Sequence, residues 1–520
     1  MKSPKLQIRL ILFSLCCYFA ALPSYAQNTM LHGGPSHTGH YTTKAVHHSP
    51  RLLWSFKTNG QVQSAPAIQG ESIYFGSGDG KFYAADLKTG KEKWHFQTQG
   101  VVVSSPTVAN NLVYFTSRDQ NLYALDAVNG KKVWSLALGK ELPYAWAFDN
   151  QLSSPTIVET TLYVGSGDGN IYALETKTGK EKWRFKTRGL VRATPTVANN
   201  VVYVGDTEGY FYALNANTGK ETWRFATEGV NFDPAKFGFD RKAIMFAATL
   251  NDELVIFGGR DGFFYGVERA TGKERWRVDH QVSWIMSNPA LMGSKVFTGT
   301  SDGRFVQAVN LQDGKEIWRF STQNVVWSSP AVADGVLYIG SDDNHLYALD
   351  AQTGQKRWQF RAGARVRGVP AVKDGVVYVG SDDGHLYAIT GATTHHPGYI
   401  PAKRVVYWNQ KEDAQGIGLH AMSFVRDFLV GEGYEIANDS AIAAFMLQRV
   451  QDRQPSVVVF PSQSFPASIL TDTTEAALFR QYLNAGGKVA YLSTPPPFAF
   501  ARDANTGQIT GFQFNKMGKI

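Results

Sequence analysis

Short apolar runs alternate with polar turns along most of the chain. In the stretch Val377–Ile389 (VYVGSDDGHLYAI), two apolar runs flank a Ser-Asp-Asp-Gly turn. Short runs of this kind are typical of strands, and the turn residues between them predict a hairpin. The same pattern occurs eight times, at Ile73–Ala85, Val113–Leu125, Leu162–Leu174, Val202–Leu214, Val255–Val267, Val296–Ala308, Leu337–Leu349 and Val377–Ile389.

Two further elements repeat with the hairpin. One is a glycine turn that leads into a tryptophan strand, as in the identical copies of KTGKEKW at Lys88–Trp94 and Lys177–Trp183. Each unit of about 40 residues therefore contains four strands, and eight such units predict an all-β, eight-bladed propeller. The other element is an inner strand with small residues before a proline, at Pro66, Pro106, Pro155, Pro195, Pro289, Pro330 and Pro370, with Ala248 in the fifth copy.

The order of the elements predicts how the ring closes. The chain enters the array through a tryptophan strand, Arg51–Phe56, that follows no hairpin, and the eighth hairpin ends at Ile389 with no tryptophan strand after it. Strand 51–56 is therefore expected to complete the eighth blade, which protects the edges of the ring. An open array would need no such offset.

The N-terminal pattern predicts a secretory leader before the array. Basic Lys2, Lys5 and Arg9 come before an apolar segment, and cleavage is predicted near Ala26. We expect a periplasmic or secreted protein with no transmembrane segment after cleavage. The predicted organisation is leader 1–26, lead-in 27–50, propeller 51–392, linker 393–403 and α/β domain 404–520.

Copies such as Ala348-Leu349-Asp350-Ala351 followed by Gly354 and Trp358 resemble the pyrroloquinoline-quinone-like propeller repeat. The resemblance covers about Pro50–Thr390. It implies that the glycine turn and the tryptophan dock neighbouring blades, a structural role for Trp54, Trp94, Trp134, Trp183, Trp223, Trp276, Trp318 and Trp358. The family includes quinoprotein dehydrogenases and also non-enzymatic propellers similar to the outer-membrane assembly lipoprotein, so activity stays open.

Positions five, three and one residues before each proline are expected to face the central channel, because side chains alternate along a strand. The third position carries Gln63, Val103, Leu152, Arg192, Met245, Met286, Trp327 and Arg367. We predict a pocket for an anionic, partly flat ligand, since arginine binds carboxylate or phosphate and tryptophan covers a ring. A wet channel that tolerates any polar side chain is the alternative. The predicted ligand-binding residues are Gln61, Gln63, Asn150, Arg192, Trp284, Trp327, Arg365 and Arg367.

Two longer connections are expected over the mouth of the channel, the end at which the fifth-position residues lie. They span about Gly139–Asn150 and Gly229–Lys242. Loops longer than a scaffold needs are often functional. Their aromatic residues are Tyr144, Trp146, Phe148, Phe232 and Phe237.

We expect no cofactor and no catalytic residue set. The mature chain has no cysteine, and the third and fifth positions before the prolines include no Asp or Glu, which disfavours a Ca²⁺ site. Pyrroloquinoline quinone with Ca²⁺ is the alternative, with carboxylates from loop residues Asp233, Asp240 or Asp279. No metal site is predicted, because the spacing of His32, His37, His40, His47, His48, His395 and His396 fits no metal motif.

The last part of the chain changes pattern. Strands at 404–408, 456–460 and 489–493 alternate with helices at 420–430, 441–450 and 474–483, which predicts a parallel α/β layer. Residues 457–492 are similar to class I glutamine-amidotransferase-like domains, whose cysteine nucleophile is missing. Ser462 and Ser464 follow a strand, but no His/acid pair accompanies them. The stretch after Thr494 is predicted to form loops, so the domain is degenerate or truncated, and we expect an interaction or structural role.

Removal of the leader lowers the net charge from +8 to +5, and the basic residues are scattered, so no nucleic-acid partner is expected. The favoured function is an exported binding or scaffold protein that recognises a protein partner or an anionic ligand at the channel mouth. The alternative is an enzyme, either a quinone-dependent dehydrogenase or a propeller hydrolase or lyase.

Overall fold

The structure is a computed structural model. It describes residues 28–144, 149, 151–233, 240–281, 283–391, 403–407, 429–430, 434–452, 456–460, 478–485, 488–491, 498–502 and 509–514. The chain divides into two compact units, Met1–Ala392 and Thr393–Ile520. The first unit is an eight-bladed β-propeller, so the predicted fold of the repeat region is confirmed.

Each blade is a four-stranded antiparallel sheet, numbered here in chain order from blade 1 to blade 8. The inner strands are Ala67–Gln69, Thr107–Ala109, Thr156–Val158, Thr196–Ala198, Thr249–Leu250, Ala290–Met292, Ala331–Ala333 and Ala371–Lys373. The second strands are Ser72–Gly76, Leu112–Thr116, Thr161–Gly165, Val201–Gly205, Leu254–Gly258, Lys295–Gly299, Val336–Gly340 and Val376–Gly380.

The third strands are Lys81–Asp86, Asn121–Asp126, Asn170–Glu175, Tyr210–Asn215, Phe263–Glu268, Phe305–Asn310, His345–Asp350 and His385–Gly391. The outer strands of blades 1 to 7 are Glu92–Gln97, Lys132–Ala137, Glu181–Lys186, Glu221–Ala226, Glu274–Asp279, Glu316–Ser321 and Lys356–Arg361. Strand Pro50–Lys57 is the outer strand of blade 8, where Trp54 lies opposite Ala388 of the third strand. The last blade thus combines both ends of the propeller sequence.

The outer parts of neighbouring blades are joined through the tryptophans. Trp94 of blade 1 donates its indole N–H to the carbonyl oxygen of Ala127 in blade 2, at 3.2 Å. The turn glycine of blade 2 approaches the same ring so closely that a Cβ on Gly130 would meet Trp94 Cε3 at 2.5 Å. Only glycine fits over the indole there, and its φ of +72° is a conformation that other residues rarely adopt. Seven of the eight repeat tryptophans make the corresponding indole hydrogen bond to the next blade. The eighth, Trp358 of blade 7, instead donates to the carbonyl oxygen of Val46 in the lead-in.

The inner parts of the blades are joined by a second contact. The glycine that ends each second strand packs against an aliphatic residue of the next blade. That residue lies four positions before the proline of its own blade; Gly340 and Val366 are one such pair. Seven of the eight junctions follow this rule. Between blades 2 and 3 the two positions hold Thr116 and Gln151 instead, and a small cavity of about 30 Å³ lies beside Thr116.

The lead-in before the first blade crosses one end of the channel. It contains a short 3₁₀ turn, Leu31–Gly33, and strand His40–Tyr41, which pairs in parallel with Ala331–Ala333 of blade 7. Backbone carbonyls of the lead-in accept hydrogen bonds from inner-strand N–H groups of six blades, at Ile68, Val108, Val197, Leu250, Leu291 and Val332. The chain therefore closes this end of its own channel. A second 3₁₀ turn, Glu228–Asn231, begins the longer connection after blade 4.

The described residues of the second unit include a four-stranded parallel sheet, in the order Glu435–Ala437, Lys403–Tyr407, Ser456–Phe460 and Lys488–Tyr491. Its helices are Asp439–Asp452 and Leu478–Asn484. The prediction that only loops follow Thr494 is wrong: Phe498–Arg502 pairs with Ile509–Phe514, and in both segments two phenylalanines stand two positions apart, as on one face of a strand. Most of the predicted helix 420–430, and Ser462 and Ser464, lie outside the described residues.

Among the described parts of the chain, no helix has the length and apolar character needed to cross a bilayer.

Candidate functional site

The central channel holds a cavity of about 60 Å³, room for only a few water molecules. All eight residues at the third position before each proline line it, as the alternation of the inner strands predicts. Four of the predicted binding residues are therefore together at this ring, namely Gln63, Arg192, Trp327 and Arg367. Each of these residues lies four positions before the first residue of its blade's inner strand, next to the fourth-position residue that packs at the blade junction.

Arg367 occupies one corner of the mouth and is already paired. Its Nε and Nη2 atoms contact the two carboxylate oxygens of Asp342 at 2.9 and 2.5 Å, and its guanidinium lies 4.2 Å from the centre of a Trp327 ring. Next to it, Arg365 Nε lies 2.9 Å from Asp382, which also accepts a hydrogen bond from Gln63. Arg365 is the accessible cation of this corner, with 46% of its side chain exposed.

Arg192 forms a second corner with the first long connection. Its side chain is almost fully buried, and its Nε lies 3.0 Å from Asp149 Oδ1. Glu141 contacts both Arg192 and Arg118. Burial is the largest single influence on the pKa of Arg192 and lowers it. The hydrogen bonds and charges of Asp149 and Glu141 together outweigh burial, so the pKa is raised above its ordinary value. This corner is a compensated cluster of two cations and two anions.

The third corner joins the two long connections. Tyr144, from the first, donates its hydroxyl to Asp240 Oδ2 of the second at 3.1 Å and accepts from Arg260 Nη1 at 2.8 Å. Burial raises the pKa of the Tyr144 hydroxyl above its usual range. Arg260 is fully buried and lies 4.6 Å from the Trp284 ring centre. The Tyr144 ring also packs on the small apolar cluster that contains Met245 and Met286.

The lead-in forms the floor of the channel. Leu31 packs against Ala65, Ala247 and Val369. Beneath it, His37 Nδ1 lies 2.8 Å from the Leu31 carbonyl, and its Nε2 lies 3.1 Å from the Pro195 carbonyl. Burial lowers the pKa of His37 and lowers that of His32 to about 3. Both imidazoles are therefore neutral at ordinary pH. In the part of the chain that the structure describes, the lead-in closes this end of the channel, and the pocket opens towards the mouth.

The remaining predicted residues lie apart from the ring. Gln61, Trp284 and Arg365 occupy the fifth position, nearer the solvent, and Asn150 lies outside the described residues, as do Trp146, Phe148, Phe237, His395 and His396. Sequence reasoning missed Asp342, Asp382, Arg118 and Arg260. All four occupy the same hairpin-turn position, directly before the turn aspartate, and their backbone N–H groups bond to the carbonyls of fifth-position residues. The variation at that single turn position was the available signal.

In the part of the chain that the structure describes, the channel residues do not fit a quinone with Ca²⁺. The cavity is far smaller than the few hundred Å³ of a typical cofactor site. Trp284 and Trp327 each already have a guanidinium over the ring. Among the described residues no group of three or more His, Cys, Asp or Glu side chains is arranged to hold a metal ion. Asp240, considered from the sequence as a Ca²⁺ ligand, pairs with Arg260 at 3.5 Å.

A family model described as Outer membrane protein assembly factor BamB matches residues 44–145, 144–277, 260–394 and 304–430, which together span well over half of the chain. Among solved structures, BamB from Moraxella catarrhalis has a TM-score of 0.52 at 20% identity, covering 67% of this chain and 99% of that one. Quinohemoprotein alcohol dehydrogenase from Comamonas testosteroni has a TM-score of 0.58 at 16% identity, covering 73% and 83%. At these identities the likeness concerns the fold alone.

Curated sequences match over short stretches. Quinoprotein ethanol dehydrogenase from Pseudomonas putida is 36% identical over 81 residues, which is 15% of this chain and 13% of that enzyme. Quinohemoprotein alcohol dehydrogenase ADH IIB from the same species is 33% identical over 90 residues, again 13% of the enzyme. The chain thus spans about an eighth of the length of these relatives.

Proposed function

The chain belongs to the family described as Outer membrane protein assembly factor BamB, and from that premise we propose that it is an exported scaffold protein that binds a protein partner at the channel mouth. The observation that carries the proposal is the compensated, blind channel. A pocket that holds only a few waters leaves little room for a metabolite, whereas its mouth displays side chains that a protein surface can contact.

The charge at the mouth favours a protein over a free anion. Arg192 and Arg367, predicted to bind an anionic ligand, are both saturated by carboxylates of the same chain. An incoming anion would have to displace Asp149 from Arg192 or Asp342 from Arg367, and Asp342 would then be left buried without its cation. A protein partner can instead contact the partly exposed Arg365 and Gln61 without breaking either pair.

Carboxylates do converge on the mouth, the feature that would favour an enzyme. Asp149, Asp240, Asp342 and Asp382 each lie within ion-pairing distance of an arginine. Each carboxylate is thus already engaged by an arginine of the same chain and is not free to take a proton from a substrate. The arrangement therefore supports positioning of the mouth rather than proton transfer.

Site-specific photo-crosslinking tests the proposal. A benzophenone amino acid is placed at Gln61 or Arg365 in the mouth, and at Val128, an exposed residue of an outer turn of blade 2, as the control. We expect one protein adduct of defined size from both mouth positions in cells, and none from Val128. Equal adducts at all three positions, or none at the mouth, would contradict a protein-binding mouth. Fractionation of the same cells tests the proposed export to the periplasm or cell surface.

A quinone-dependent dehydrogenase is the second candidate, favoured by the curated relatives. Incubation of the purified protein with pyrroloquinoline quinone and Ca²⁺, followed by absorption spectroscopy and native mass analysis, decides it. We expect no stoichiometric chromophore, because the channel residues do not fit the group. A bound chromophore in one-to-one ratio would reverse the ranking of the two functions.

A further inference from the structure

The contacts of Tyr144 define a chemically specific place at the channel mouth. Its ring packs on Met245 and Met286, beside Trp284 and Trp327, in a patch made almost entirely of aromatic and thioether groups. Its hydroxyl sits between Asp240 and Arg260. Because Tyr144 of the same chain occupies this site, the site is shown to accept a tyrosine side chain.

The polar end of the place selects a hydroxyl. Asp240 Oδ2 and Arg260 Nη1 lie 3.5 Å apart, so the group between them meets one acceptor and one donor. A hydroxyl both donates and accepts, whereas a carboxylate only accepts and an ammonium only donates. Since the Asp240–Arg260 pair is already neutral, it offers no net attraction to a charged ligand. A phenol satisfies both the polar end and the apolar walls.

The tyrosine reaches this place from a distant part of the ring. Tyr144 belongs to the connection after blade 2, whereas Arg260 is in the turn of blade 5 and Asp240 in the connection before that blade. The same connection is held at Glu141 and Asp149 by Arg118 and Arg192. The contacts that hold the Tyr144 side chain are thus separate from those that hold its connection. Loss of the Tyr144 contacts leaves the connection anchored through Glu141 and Asp149.

We propose that the Met245–Met286–Trp284 patch with Asp240 and Arg260 is an acceptor for a tyrosine side chain of the partner protein, and that Tyr144 occupies it in the free protein as an internal competitor. The inference rests on the proposed protein-binding function and names the chemistry of the contact. A competitor on the same chain weakens the apparent affinity for the partner's tyrosine. The apparent affinity equals the intrinsic affinity multiplied by the fraction of molecules in which Tyr144 has left the site.

The test uses N-acetyl-tyrosinamide as the probe and N-acetyl-phenylalaninamide as the matched control, with binding measured by ligand-observed NMR. We expect Tyr144→Ala to bind the tyrosine probe at least tenfold more tightly than wild type. We also expect it to prefer that probe over the phenylalanine probe by about tenfold or more, since a site that pairs a hydroxyl rejects the analogue without one. Adding Asp240→Ala to Tyr144→Ala should abolish the preference while weak binding of both rings remains.

Equal affinity of Tyr144→Ala for the two probes, or no gain over wild type, would overturn the inference and leave Tyr144 a structural residue. If Tyr144→Ala fails to fold, Tyr144→Phe decides, because it keeps the ring and loses only the hydroxyl contacts; it should gain affinity for the tyrosine probe, and an unchanged affinity counts against the inference. Crosslinking at Gln61 and Arg365 reports on the protein partner independently, so failure of one proposal is distinguishable from failure of the other.

Discussion

Arg367 and Asp342 form a two-point ion pair at the channel mouth, with N–O distances of 2.9 and 2.5 Å and only 5% of the Asp342 side chain exposed. The two residues come from blades 8 and 7, so the pair joins neighbouring blades at the ring's inner edge. Trp327 covers the guanidinium from the same side. The pair therefore fixes the shape of the mouth and leaves little of its charge for a ligand.

Breaking this pair from one side should destabilise the protein strongly. Arg367→Gln leaves the Asp342 carboxylate buried without a cation, at a cost of about 3–5 kcal/mol in the free energy of unfolding. The double variant Arg367→Met with Asp342→Leu should recover much of that loss, because both charges leave together. Urea unfolding of the single and double variants measures the difference. A single variant as stable as wild type would show that the pair is solvated in solution.

The lead-in should contribute to the stability of the ring as a buried element. Leu31→Ala removes the side chain that packs on Ala65, Ala247 and Val369, and should lower the free energy of unfolding by about 2–4 kcal/mol. Leu52→Ala is the matched control, since Leu52 is 44% exposed on the outer strand of blade 8; its effect should stay within about 0.5 kcal/mol. Comparable losses in the two variants would argue against a packed floor.

The blade junctions should not tolerate a side chain at their glycines. A Cβ on Gly340 would lie 2.6 Å from Val366 Cγ1 in blade 8, so Gly340→Ala is expected to cost about 1–3 kcal/mol through overpacking. At Gly34 the backbone is extended and nothing lies within 4 Å of the added carbon, so Gly34→Ala is the control. Thermal unfolding of both variants tests the contact, which is refuted if their midpoints coincide.

Stability should fall in mild acid because of His32 and His37. Burial lowers the pKa of both in the folded protein, that of His32 to about 3, so between that pH and about 6.5 the unfolded chain binds more protons than the folded one. Stability is thus full above about pH 6.5 and decreases as the pH falls towards 3. His32→Asn should flatten this dependence in denaturant unfolding measured from pH 7 to 4, whereas His95→Asn, on an exposed outer strand, should leave the slope unchanged.

The repeat made the architecture readable from the sequence. Tryptophans, hairpins and inner strands occur eight times with one strand displaced to the front, and period-two alternation specifies which side of each inner strand faces the channel. That is why the sequence assigns Gln63, Arg192, Trp327 and Arg367 to one ring. Local pattern suffices for these features because each blade repeats the same short-range pairing.

Only the tertiary structure decided what surrounds those side chains. Asp342 and Arg367 are 25 residues apart, and Tyr144 and Asp240 are 96 apart, in turns and connections whose composition differs from copy to copy. Repeats indicate what the copies share, and a binding site depends on where they differ. The sequence alone therefore determined a closed ring of eight blades with a lined channel. The folded chain decided that the channel is blind, that its arginines are already neutralised, and that a tyrosine of the same chain occupies its mouth, because those contacts join residues that no local pattern relates.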